Sequence, residues 1–104
     1  MAMNDFENLF QAMSDGTRQR ILLLLQERAR CVGALVEEFH LSQPTISKHL
    51  TILKNAGLVK DERQGQQVVY SLNCEGLRSC CADYFKRFSC CHSLFDKLPE
   101  EISD

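Results

Sequence analysis

Residues 40–59, HLSQPTISKHLTILKNAGLV, constrain this chain more than any other stretch. Ser42 is a good helix N-cap, and Pro44 falls in the first helical turn, where a missing backbone N–H costs little. Ile46, Leu50 and Leu53 then recur at i, i+4 and i+7, which commits one face to a core, and Gly57 follows as a natural C-terminal stop. Thr45, Lys48, Thr51 and Asn55 point the other way, so the outward face is small, polar and basic. A preceding amphipathic helix is marked by Val32, Leu35, Val36 and Phe39, with Glu37 and Glu38 exposed and His40 at its end. Two such helices about a tight turn predict a helix-turn-helix, whose second helix offers its N-terminal residues to base edges in a major groove.

The flanking chain fits one small domain. Phe6, Leu9, Phe10 and Met13 predict a first helix of about three turns. Ser14, Asp15 and Gly16 break that pattern, and 17–28 reads as a second helix whose run Ile21, Leu22, Leu23, Leu24 and Leu25 belongs in the central core. Arg18, Arg20, Arg28 and Arg30 around it read as solvated helix ends. After Val59, Gly65 divides two short extended segments in which Val68 and Tyr70 alternate, the pattern of a hairpin. Its tip, with Arg63, Gln64, Gln66 and Gln67, serves equally as a polar turn or as a phosphate-contacting wing. Asn73 can cap a last helix carrying Leu77, Cys81, Tyr84, Phe85 and Phe88 on one stripe. So long an aromatic face needs cover, and the first helix has a similar one; together, on two subunits, they would bury a dimer interface. The expected architecture is mainly α with a small β-hairpin wing, α-α-α-α-β-β-α. It forms a single winged-helix domain over residues 1–98 with an acidic tail over 99–104.

At 104 residues one domain is expected, of a size that gains from pairing with a second copy. No apolar run approaches the roughly 20 residues of a membrane span, and the start MAMNDFENLF lacks the basic and apolar blocks of a secretory signal, so a cytoplasmic location is expected. The formal net charge of -2 is unusual for a nucleic-acid binder. Its distribution decides: Lys48, Lys54, Lys60 and Arg63 outnumber Asp61 and Glu62 around the second helix and hairpin, whereas Asp5, Glu7, Asp96, Glu100, Glu101 and Asp104 gather at the ends. Weak non-specific affinity and reliance on two half-sites follow.

The segments SDGTRQRILLLL, LSQPTISKHLTILKNAGLV and RQGQQVVYSL together resemble the ArsR/SmtB family of winged-helix repressors, over about residues 6–88. The pattern SQPTISKHLxxLKxAGLV is specific to the recognition helix of that family. The resemblance implies a homodimer joined through first and last helices, double-stranded operator DNA as partner, and an inducer that lowers operator affinity. It also implies DNA contacts from Ser42, Gln43, Thr45, Ser47, Lys48 and His49, with a wing around Arg63, Gln64 and Gln66. Physically, Gln43 suits adenine and Lys48 suits guanine or phosphate. His49 lies beside the inward face, so a structural role competes with a DNA contact. Gly16 stands where the family usually has proline.

Six cysteines are many for this length. With no secretory signal, and with Cys80-Cys81 and Cys90-Cys91 as vicinal pairs, they are expected as thiols rather than a disulfide framework. Of the family's inducer sites, the one on the positioning helix matches Cys31-Val32-Gly33 here, keeping a single thiol that reads as a small hydrophobe before a ligand. The zinc-type site on the last helix finds Asp83 but no histidine pair. Cys80, Cys81, Cys90 and Cys91 remain, and thiolates select soft ions. A straight helix would hold Cys80 and Cys91 about 16 Å apart, so either it breaks near Ser89 or thiols of two subunits meet. As(III) or Sb(III), which take three thiolates, are the expected inducers, with Cys80, Cys90 and Cys91 as the preferred trio and Cys81 half buried. Cadmium, lead or mercury, with the fourth thiol or His92, and a redox or persulfide switch are the alternatives. A metal buffer without a regulatory role is a more distant one. Cys74 reads as structural. No spacing of catalytic residues stands out, so neither an enzyme nor an organic cofactor is expected.

Overall fold

The computed structural model describes residues 5–94. In chain order it contains α1 (Asp5–Met13), α2 (Gly16–Glu27), β1 (Arg30–Cys31), α3 (Val32–Phe39), α4 (Gln43–Asn55), β2 (Val59–Gln64), β3 (Gln67–Leu72) and α5 (Cys74–Phe85), followed by a 3-10 turn over Ser89–Cys91. The mainly α architecture with a hairpin wing is as expected. The acidic tail at 99–104 lies outside the described residues.

Side-chain caps start three of the helices. Asp15, with extended backbone, accepts from Thr17 N at 2.8 Å and Arg18 N at 3.1 Å at the head of α2. Those N–H groups, Arg18's foremost, hold the Asp15 carboxyl below the ordinary carboxylate range. Its folded-state value is therefore depressed, so the cap is intact above the unfolded carboxyl range and weakens as pH falls through the folded one. Ser42 accepts from Thr45 N at 3.3 Å in α4, where Pro44 occupies the first turn. Asn73 accepts from Gly76 N at 3.1 Å in α5 and donates to the Gly57 carbonyl at 2.9 Å. Gly76 permits that approach, since a Cβ there would overlap the Gly57 carbonyl oxygen.

Gly16 is the first residue of α2, its surroundings leave room for a side chain, and the extended Asp15 before it already suits a following proline. Gly16→Pro is expected to stabilise the fold by about 0.5–1 kcal/mol by restricting the unfolded chain, read as a higher denaturant midpoint at unchanged m-value.

Leu9, Ile21, Leu35, Ile46, Leu50, Leu53 and Leu58 are fully buried and join α1, α2, α3, α4 and the start of β2 in one core. The α4 stripe falls as its spacing predicts. The α2 run does not. Leu23 is 63% exposed and Leu24 only partly buried, because five consecutive positions at about 100° per residue sweep all round a helix. Arg18 takes the place of a core residue on that helix at 8% exposure, which corrects its reading as a solvated helix end.

The sheet is also larger than a hairpin. β1 adds a third strand, Arg30 opposite Tyr70 and Cys31 opposite Val69, in the order β1-β3-β2. Two residues are too few to show alternation, so β1 leaves no periodic signature. The wing itself pairs Gln64 with Gln67 across a two-residue turn. Gly65 there has φ 65, and Gln66 has no positive φ, which is a type II′ hairpin with glycine at its first central position.

Candidate functional site

The outward surface of α4 begins at its cap. Ser42, Gln43, Thr45 and Lys48 are exposed, and Ser47 is half-buried. The hydroxyls of Ser42 and Thr45 are bonded to each other at 2.9 Å, which ties both side chains to the cap. Gln43 and Lys48 are the longer exposed groups beside them. Arg63, Gln64 and Gln66 are exposed at the wing tip. Gln43 and the wing residues Gln66 and Gln67 share one cleft of about 280 Å³ with Cys31 and Val68, so the head of α4 and the tip of the hairpin lie side by side. This arrangement suits a duplex: helix residues to the base edges, wing amides and Arg63 to the flanking backbone.

One residue of the predicted basic surface, Lys54, and one of the predicted DNA contacts, His49, have other partners. Lys54 pairs with Asp61 on β2 at 2.9 Å, and that hydrogen bond raises the lysine's pKa. It therefore adds little net field toward DNA. His49 turns from the outer face, its Nδ1 3.1 Å from a terminal nitrogen of Arg18. Arg18 is the residue sequence reasoning missed. The signal was present, because Arg18, Ile21, Leu22 and Leu25 follow i, i+3, i+4 and i+7 and all four are buried.

The thiols divide into two groups. Cys80 and Cys81 pack against the core from α5, and burial pushes the Cys81 thiol up. α5 ends at Phe85, Phe88 is extended, and the turn at Ser89–Cys91 follows, so the helix breaks a few residues before Ser89, in line with one of the two alternatives. Cys90 and Cys91, neighbours in that turn, stand with Sγ to Sγ 3.9 Å. Desolvation first, and the contact with Cys90 second, raise the Cys91 thiol. Among the described residues no three His, Cys, Asp or Glu side chains converge as a metal site, so Cys80 and Cys81 do not join that pair within one chain. Cys31 lies in the wing cleft, and Cys74 is exposed at the start of α5.

Tyr84 links the terminal helices. Its ring meets Phe6 at 5.3 Å and Phe10 at 4.7 Å from α1, and Phe85 at 5.2 Å and Phe88 at 5.6 Å beyond it. α1 therefore covers part of the α5 stripe within one subunit. Phe10 at 43% and Phe88 at 45% exposure remain open beside it.

A recognition helix, a positioning helix and a hairpin wing on one face define a winged helix-turn-helix. The sequence pattern of the bacterial regulatory protein, arsR family, matches residues 15–61. The chain is 48% identical over 66 residues to the transcriptional repressor SdpR of Bacillus subtilis, covering 64% of this chain and 73% of that protein. It is 44% identical over 68 residues to the arsenic resistance transcriptional regulator ArsR1 of Pseudomonas putida, covering 64% of this chain and 53% of the relative. Among solved structures, the homodimeric winged helix-turn-helix DNA-binding domain of Mb0332 from Mycobacterium bovis superposes with a TM-score of 0.67 at 28% identity, over 74% of this chain and 72% of that one. The chain belongs to the ArsR family of bacterial regulatory proteins. It spans about half the length of several curated relatives, ArsR1 among them. Among the described residues no helix is long and apolar enough to cross a membrane.

Proposed function

We propose that this protein is a homodimeric transcriptional repressor of the cytoplasm that leaves its operator when a soft metalloid binds its C-terminal thiols. The observation that carries the DNA-binding half is the shared cleft between Gln43 at the head of α4 and Gln66 and Gln67 at the wing. Gln43, Thr45 and Lys48, with Ser42 and Ser47 beside them, face the major groove in this reading, and Arg63, Gln64 and Gln66 flank it. Lys48→Ala is expected to weaken binding to a duplex selected by the wild type from a random pool by about tenfold, and to lower the slope of affinity against salt by about one counterion if its partner is a phosphate. Unchanged affinity would remove α4 from the interface.

Dimerisation through α1 and α5 is supported by the open rings of Phe10 and Phe88 next to the Tyr84 cluster, and by the homodimeric state of the Mb0332 domain. For the inducer, the donor set is soft: Cys90 and Cys91 already touch, and a similar protein is an arsenic resistance regulator. As(III) or Sb(III) needs a third thiolate. Cys80 or Cys81 supplies it, from the same helix after movement of the turn or from the second subunit. Either route links binding to the geometry of the α1 and α5 contact, and hence to the spacing of the two recognition helices.

A second reading keeps the repressor and makes Cys90 and Cys91 a redox or persulfide switch, favoured by their 3.9 Å separation. There, two thiols give up two electrons and two protons to an oxidant, or take a bridging sulfur from a polysulfide whose S–S bonds break, its remaining sulfurs accepting the two electrons and two protons and leaving as hydrosulfide. Mass spectrometry separates the readings. A loss of two hydrogens or a gain of sulfur that accompanies DNA release under peroxide or polysulfide identifies the switch, and release by arsenite at unchanged thiol oxidation identifies the metalloid sensor.

A further inference from the structure

Arg18 is the buried charged side chain among the described residues, and its guanidinium reaches two other elements, α1 and α4. Its Nε donates to the Ala12 carbonyl at 3.0 Å and one terminal nitrogen to the Gln11 carbonyl at 2.8 Å, both in the last turn of α1, where helix carbonyls lack intrahelical partners. Its backbone N–H is held by the Asp15 cap of α2. The remaining terminal nitrogen lies 3.1 Å from His49 Nδ1 on α4. A guanidinium has donors only, so Nδ1 accepts and the imidazole proton resides on Nε2.

We infer that Arg18 is the positioning residue of the recognition helix, holding α4 against α1 and α2 through His49 Nδ1, and that His49 works inward on Arg18 rather than outward on DNA. The inference rests on the reading of α4 as the helix that enters the groove. Interface side chains must be held to within about 0.5 Å of their working positions. Core contacts of Ile46, Leu50 and Leu53 are non-directional and fix the depth of α4 better than its rotation about its own axis. One directional bond from a rigid fork, anchored on two carbonyls of α1, fixes the rotation and with it the bearing of Gln43, Thr45 and Lys48.

Two nearly isosteric replacements separate the two nitrogens of His49. The amide of asparagine takes the place of Nδ1, and that of glutamine takes the place of Nε2. On the duplex selected from a random pool by the wild type, His49→Asn is expected to bind within about twofold of the wild type and His49→Gln about tenfold more weakly, the worth of one hydrogen bond to a charged group. Equal affinities for the two variants, or the reverse order, overturn the inference. A measurement without DNA covers the case in which His49→Gln fails to fold. Nitrogen-15 spectra of the wild-type imidazoles at neutral pH are expected to show His49 as the Nε2–H tautomer, its signals identified by their loss in His49→Asn, and an Nδ1–H tautomer overturns the contact. The same series distinguishes the two levels of failure. If Lys48→Ala and both His49 variants all bind as the wild type does, the reading of α4 falls; if Lys48→Ala alone weakens binding, only the role of Arg18 and His49 falls.

Discussion

A chain carrying Cys90→Ser and Cys91→Ser together is expected to stay on its DNA at arsenite concentrations that strip the wild type. The two sulfurs lie 3.9 Å apart on a turn that follows the end of α5. In the proposed three-thiolate site they supply two of the three sulfurs, and no serine pair substitutes for them, because hydroxyl oxygen is a poor ligand for a soft ion. Coupling between an inducer and a DNA site amounts to about 1–3 kcal/mol, or about 5- to 150-fold in affinity. The wild type is expected to lose affinity within that range on arsenite addition, and the double variant to change by less than about twofold, within the error of additive effects. Cys31→Ser and Cys74→Ser are the controls. Cys31 lies in the wing cleft and Cys74 at the start of α5, away from the pair, so each is expected to respond as the wild type does.

The largest loss of stability is expected at Leu50. It is fully buried on α4 between Ile46 and Leu53, within a core small enough that one side chain is a sizeable part of it. Leu50→Ala leaves a cavity and costs about 3 kcal/mol, the middle of the range for such truncations. Domain stabilities are about 5–15 kcal/mol in total, so the variant is expected to melt roughly 15 °C lower. Thr51→Ala on the exposed face of the same helix is expected to change stability by no more than about 0.5 kcal/mol. A thermal melt at fixed protein concentration checks both, since dimer formation makes the midpoint depend on concentration. Equal midpoints for the two variants would place the core face of α4 elsewhere.

Most of the scaffold was legible in the sequence because caps and periodicity are local. Ser42, Asn73 and the Ile46, Leu50 and Leu53 stripe act within a few residues of themselves, and each falls where its spacing requires. The wing was legible for a similar reason, since Gly65 and the alternation around Val68 mark a hairpin without reference to the rest of the chain. What was hidden depends on pairing across distance. β1 consists of two residues that become a strand only by finding Val69 and Tyr70. Leu23 looks like core by composition and is exposed by geometry. Arg18 looks like surface by composition and is buried by geometry, and its partner His49 on α4, 31 residues away, lies in no local window. A break in the last helix was one of two expected routes for Cys90 and Cys91 to reach Cys80 or Cys81, the other being a meeting of two subunits. The helix breaks, yet Cys80 and Cys81 do not converge with Cys90 and Cys91 within one chain, and the Phe6, Phe10 and Tyr84 contact packs the α1 and α5 stripes together within one subunit.

Fluorescence anisotropy of a labelled duplex, selected from a random pool by the anaerobic protein, tests the central claim most directly when arsenite, antimonite and cadmium are titrated in turn into the preformed complex. Saturable binding to the duplex, a fall in anisotropy with arsenite or antimonite, and its recovery on adding a competing dithiol are the predicted results. A protein that enriches no duplex, or a complex whose anisotropy is unchanged by all three ions, would contradict the account.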